Sequence, residues 1–182
     1  MKNILAALTI VSILALLRQP VYAIELSMSD PSAKANGTVV ETDPRPMRLK
    51  AYLTAKGSPM AQDADFFVNE ADRLNVDWKL VAAIAGVESG FGQHIPTGSF
   101  NAWGWGVFTG TNDGVHFASW KDGITQVSEG LRTKYLDKGA HTVDEIGSIY
   151  AASPVWSYKV KWMISDIDGY HPHSSDLLAV TI

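Results

Sequence analysis

The chain has 182 residues, of which 46% are hydrophobic, 19% charged and 10% aromatic, with a formal charge of −4. That composition supports one domain with a real core and excludes a disordered tail or a collagen-like fibre. The absence of cysteine excludes a disulfide framework, a thiolate nucleophile and an iron–sulfur cluster, leaving catalysis to oxygen and nitrogen groups. The mild acidity argues against nucleic acid as a partner, since duplex binding relies on clustered Lys and Arg.

The first segment pairs Met1-Lys2-Asn3 with the apolar run Ile4 to Leu17 and closes on the small-residue site Val21-Tyr22-Ala23. This pattern predicts a secretory signal over residues 1–23, and hence an exported or cell-envelope protein. As a helix the apolar run would span only about 21 Å, against a hydrocarbon core of roughly 30 Å, so stable membrane insertion is not expected. Cleavage removes Lys2 and Arg18 and no acidic residue, leaving 13 basic against 19 acidic residues and a charge of −6. Residues 24–46 are rich in Ser, Pro, Asp, Asn and Thr with no sustained hydrophobic period, which predicts a flexible spacer.

From Met47 onward the pattern is helical. Ser58-Pro59 opens a helix carrying Ala64, Phe67, Val68, Ala71 and Leu74 at spacings of three and four. Asp77 caps the next, whose Val81, Ile84, Ala85 and Glu88 share one face before Gly90 and Gly92 end it. Residues 95 to 118, rich in Gly, Asn and aromatics, break the pattern. Ser119 with Asp122 then matches a capping box ahead of Ile124, Val127, Leu131 and Tyr135, with Gly139 as the stop, and Thr142 with Glu145 is a stronger box ahead of Ile146, Ile149 and Tyr150. Ser153-Pro154 begins the last helix, which places Trp156, Val160, Met163, Ile164 and Ile167 on one side. The fold class expected is mainly α, with one inserted loop or small β lobe.

Glu88 is the most informative residue. It stands i+4 from Ile84 and i+7 from Val81, on the side of its helix expected to face inward. Desolvation raises a carboxyl pKa, and a helix C-terminus adds negative potential that pushes the same way. Both keep a proton on the group near neutral pH, as a general acid requires. The bland alternative is a carboxylate paired with a buried donor or reaching water from the edge of the stripe. Beyond Glu88 comes Phe100-Asn101-Ala102-Trp103-Gly104-Trp105. Flat aromatic faces beside glycines suit sugar rings, while amide and hydroxyl groups suit their polar edges. Trp103 and Trp105 are equally compatible with a place in the core.

These residues resemble a family. Ala85-Gly86-Val87-Glu88-Ser89-Gly90-Phe91-Gly92, the turn Asn101-Ala102-Trp103-Gly104, and Tyr150-Ala151-Ala152-Ser153-Pro154-Val155-Trp156-Ser157-Tyr158-Lys159-Val160 look like the lysozyme-like superfamily. Within it the order is most similar to the glucosaminidase branch, the mannosyl-glycoprotein endo-β-N-acetylglucosaminidase-like domain of bacterial cell-wall hydrolases, with lytic transglycosylases as near neighbours. The resemblance spans about residues 47–170, leaving 171–182 as a C-terminal tail. It implies Glu88 as catalytic acid, Tyr150 beside it in the cleft, Ser89 supporting the helix end, and Phe100 to Trp105 lining a glycan groove, with Asn101 contacting an N-acetyl group. Two positions depart from the family. Its Asn-Asn-Leu-Phe-Gly run is replaced by Phe100 to Gly104, and its Asp after Tyr-Ala-Thr is replaced by Ser153.

Glycoside hydrolysis commonly pairs two carboxyls. Asp113, in the turn Gly110 to Gly114, is the candidate second one, although Asn-Asp-Gly is also ordinary turn chemistry. Asp122, Asp144 and Glu145 are expected to serve their helices, and Asp166 and Asp168 to be solvated. His171-Pro172-His173 lacks a third ligand at a suitable spacing, so neither a metal nor another cofactor is expected. No esterase elbow, Walker loop or dinucleotide fingerprint occurs. The function expected is a secreted peptidoglycan hydrolase acting on β-1,4 glycan strands; the alternatives are a lytic transglycosylase and a non-catalytic wall-binding module.

Overall fold

Asp43 opens the first helix, its carboxylate accepting the Arg45 N–H at 2.9 Å, and helix α1 runs Pro44–Ala55. The computed structural model describes residues 43–107 and 114–172; the expected signal segment, most of the expected spacer, Asp113 and His173 to Ile182 lie outside them. The spacer boundary expected at residue 46 is therefore corrected. Pro44 and Pro46 stand in the first turn of α1, where a missing N–H removes no helix bond.

Ser58 does not cap α2 directly. Its hydroxyl accepts from Met60 N and donates to Phe91 O at 2.9 Å, tying this turn to the loop beyond α3. One 3-10 turn (Ala61–Asp63) then leads into α2 (Ala64–Leu74), which ends on Asn75 in the left-handed region. Asp77 accepts from Lys79 N–H at 3.0 Å, one residue ahead of α3 (Leu80–Ser89). Every residue from Leu80 to Ala85 is buried, so α3 is the central helix. Gly90, at φ +59°, terminates it.

Between residues 90 and 119 the described residues form turns and loop with no strand among them. Helix α4 (Trp120–Lys134) follows. Ser119 caps it by accepting the Asp122 N–H, but the Asp122 carboxylate reaches past Ser119 to Ala118 N–H at 2.8 Å, so the expected box closes one residue early. A second 3-10 turn (Leu136–Lys138) ends on Gly139, and α5 (Val143–Tyr150) begins on the full Thr142/Glu145 box. Helix α6 (Trp156–Gly169) starts after Ser153-Pro154.

Helix α6 packs on α3 through a close crossing at Gly86. A Cβ placed there would lie 2.6 Å from the Phe91 ring and 3.0 Å from Met163 Cε. Asp166 is not a solvated position as expected. It accepts the Tyr52 hydroxyl at 2.8 Å and pairs with Lys56 at 2.9 Å, joining α6 to α1. The core these helices enclose is built on Tyr52, Leu53, Phe67, Ile84, Trp103, Ile124, Leu131 and Ile167. No helix among the described residues is long and apolar enough to cross a membrane.

Candidate active site

Glu88 occupies the last turn of α3, where the loop 99–107 passes over the helix end. Inward burial stops one turn earlier, at Val81, Ile84 and Ala85, and Glu88 itself is exposed. The inward placement read from periodicity is thus corrected: the carboxyl stands at a mouth, not inside the core. A cleft of about 100 Å³ opens there, lined by Glu88, Ser89, His94, Asn101, Gly104 and Val107 among others. Larger hollows of about 450 and 440 Å³ lie elsewhere and do not include Glu88. The small cleft is the one lined by Glu88.

One oxygen of Glu88, Oε1, accepts the indole N–H of Trp156 at 2.6 Å. The other, Oε2, lies beside Gly104, where a Cβ would sit 3.5 Å away. Glu88 reaches solvent as a residue, but the protein packed around its carboxyl partly desolvates that group and shifts its pKa upward, while the Trp156 bond and the charge of Lys159 pull it back. Helix α3 therefore presents a carboxyl that keeps its proton to higher pH than a free glutamate, with one oxygen fixed and the other facing the cleft.

Tyr150 stands one layer behind this group. Its ring stacks on Trp156 with centroids 4.8 Å apart and planes 21° from parallel, and its hydroxyl donates to Trp103 O at 2.7 Å. Burial first, and the Glu88 charge second, hold that phenol well above its usual pKa, so it stays neutral. Ser89 is 5% exposed and engaged by backbone: it accepts Gly92 N–H at 2.8 Å and donates to Ala102 O at 2.7 Å. It joins the helix end to the loop instead of offering its hydroxyl to a ligand.

Of the expected groove residues, two are turned inward. Trp103 is fully buried, its indole N–H donating to Val81 O at 2.9 Å, so its ring has no face for a sugar. Asn101 braces the loop. Its Nδ2 donates to Trp105 O and Val115 O, both at 2.9 Å, and its Oδ1 accepts Trp105 N–H at 2.9 Å, leaving the amide filled by backbone. Phe100 is half-buried at φ +48° and meets Trp120 edge-on. Trp105 is half-buried beside Tyr135 and Tyr150, with Lys134 Nζ 5.4 Å above its ring. Asp113 lies outside the described residues.

Trp156, whose indole holds Glu88, is a residue that periodicity alone assigns to the apolar stripe of α6. Its signal was available: it is the one member of that stripe carrying a side-chain N–H donor, and buried indoles find acceptors. Among the described residues no cluster of three or more His, Asp or Glu has the geometry to hold a metal ion. No family model and no curated protein matches this chain.

Proposed function

We propose that the chain is an exported enzyme that cleaves the β-1,4 glycan of peptidoglycan beside an N-acetylhexosamine, with Glu88 as general acid. The observation that carries the reading is a carboxyl at a cleft mouth with Oε1 held by an indole and Oε2 beside Gly104, its pKa pushed upward by burial. The resemblance of the segments around Glu88 and Tyr150 to cell-wall glucosaminidases supports the same substrate class.

In the reaction Glu88 gives its proton to the glycosidic oxygen as the C1–O bond breaks. Asp113 lies outside the described residues, and the route that asks only for Glu88 takes its nucleophile from the substrate. The 2-acetamido oxygen attacks C1, and water then opens that ring while ionised Glu88 takes the water's proton, giving a reducing end. A second reading that also needs only Glu88 is lytic transglycosylation, in which the 6-hydroxyl attacks C1 and gives up its proton to ionised Glu88, leaving an anhydro end.

Incubation with purified cell wall, followed by mass spectrometry of the fragments, separates the two products. Glu88→Gln is expected to abolish both. Full activity in that variant refutes the assignment, and wall binding without cleavage by the parent protein identifies a binding module instead.

A further inference from the structure

The short bond between Trp156 and Glu88 does more than hold a side chain still. An indole N–H is a donor only, so the oxygen it meets must act as an acceptor. In a neutral carboxyl the better acceptor is the carbonyl oxygen, which leaves the hydroxyl on the other one. We infer that Trp156 is a positioning residue that holds Oε1 of Glu88 as the acceptor and so confines the reacting proton to Oε2, beside Gly104 in the cleft. This rests on the reading of Glu88 as the acid.

The donor is itself fixed by a closed circuit. Trp156 stacks on Tyr150, the Tyr150 hydroxyl is anchored on Trp103 O, and the Trp103 indole is anchored on Val81 O. Val81 lies on α3, two turns before Glu88, so the circuit returns to the helix that carries the acid. Trp156 is 4% exposed and has no room to swing away. On the opposite side of the carboxyl, Gly104 brings a backbone with no side chain, and φ +61° favours glycine there. The titratable groups facing Glu88 are Lys159 from the same helix as Trp156, Tyr150 from α5 and His94 from the loop. None of these has a hydrogen bond to either oxygen of Glu88 among the described contacts, which singles out the indole as the group that distinguishes the two.

Nitrogen-15 NMR of the indole N–H groups tests this directly in the parent protein. One indole resonance is expected to move with pH in step with the Glu88 carboxyl carbon, and that movement is expected to vanish in Glu88→Gln. Trp156→Phe should remove that resonance, raise the pH at which Glu88 ionises, carry the alkaline limb of the activity profile upward with it, and lower kcat by about 10- to 100-fold with little change in KM. An indole spectrum with no resonance that follows Glu88, or a Trp156→Phe profile that superimposes on the parent's, overturns the inference. If Trp156→Phe does not fold, the titration of the parent protein and of Glu88→Gln decides alone. A protein that shows the coupled titration but cleaves no glycan retains the proton placement and loses the proposed function, so the two failures are distinct.

Discussion

Removing the Asn101 amide tests whether the loop over Glu88 is held from within or shaped by its ligand. Three of its hydrogen bonds, to Trp105 O, Val115 O and from Trp105 N–H, measure 2.9 Å, and the side chain is shielded, the residue being 7% exposed. A net contribution of about 1 kcal/mol per bond gives a loss of about 3 kcal/mol in Asn101→Ala. For a domain of this size that lowers Tm by about 10 °C. Asn101→Asp is the sharper variant, because it keeps the acceptor for Trp105 N–H and turns the donor into an oxygen facing two carbonyls. Its ionised form is disfavoured in the fold, which raises its folded pKa, so the stability deficit grows as pH rises through that value and shrinks in acid, where the protonated group can donate. Calorimetric melts of both variants at pH 4 and 7, beside saccharide-binding titrations, measure this. A Tm within about 1 °C of the parent together with lost saccharide affinity would show that Asn101 is a ligand contact and refute the argument.

Three further outcomes follow from the same geometry. Gly123→Ala places a Cβ 2.6 Å from the Trp103 ring and 3.1 Å from Phe100 O; it should cost about 1–3 kcal/mol and alter near-UV dichroism as Trp103 shifts. Glu88→Gln should melt higher than the parent near and above neutral pH. The raised carboxyl pKa gives the parent stability that is complete below the ordinary carboxyl range and lost as pH rises through the folded value, so the two melting curves converge in acid. Asp166→Asn should show the opposite dependence. Lys56 first, then Tyr52, hold the Asp166 carboxyl below its ordinary pKa, so its contribution is present above that range and lost as pH falls through the lowered value, and the Tm gap between variant and parent narrows on acidification.

Helix positions were legible because their signals are local. The Thr142/Glu145 box, the Ser119 cap and the Gly90 stop each act within four residues, and each stands where periodicity put it. The loop was legible only in outline. Alternation along Phe100 to Trp105 has a fixed meaning in a strand, but here positive φ at Phe100 and Gly104 redirects the side chains, sending Trp103 into the core and leaving Trp105 half out. Long-range pairing was not legible at all. Asp166 finds Tyr52, 114 residues away, and Trp156 finds Glu88 across 68 residues; neither partner is encoded in spacing. Glu88 shows the limit of the helical wheel, which gives an azimuth and not the depth at which a helix leaves the core.

The crossing at Gly86 gives that glycine a reach beyond its own size. Any side chain there would drive first into the Phe91 ring and then against the end of Met163 on α6, the helix that carries the indole bonded to Glu88. A saturation survey scored on thermal stability should therefore find position 86 intolerant of larger side chains; if the proposed activity holds, the same survey scored on wall clearing should lose signal there as well as at Glu88. An engineer seeking greater robustness would be wise to leave this seam alone and work on the far ends of the two helices.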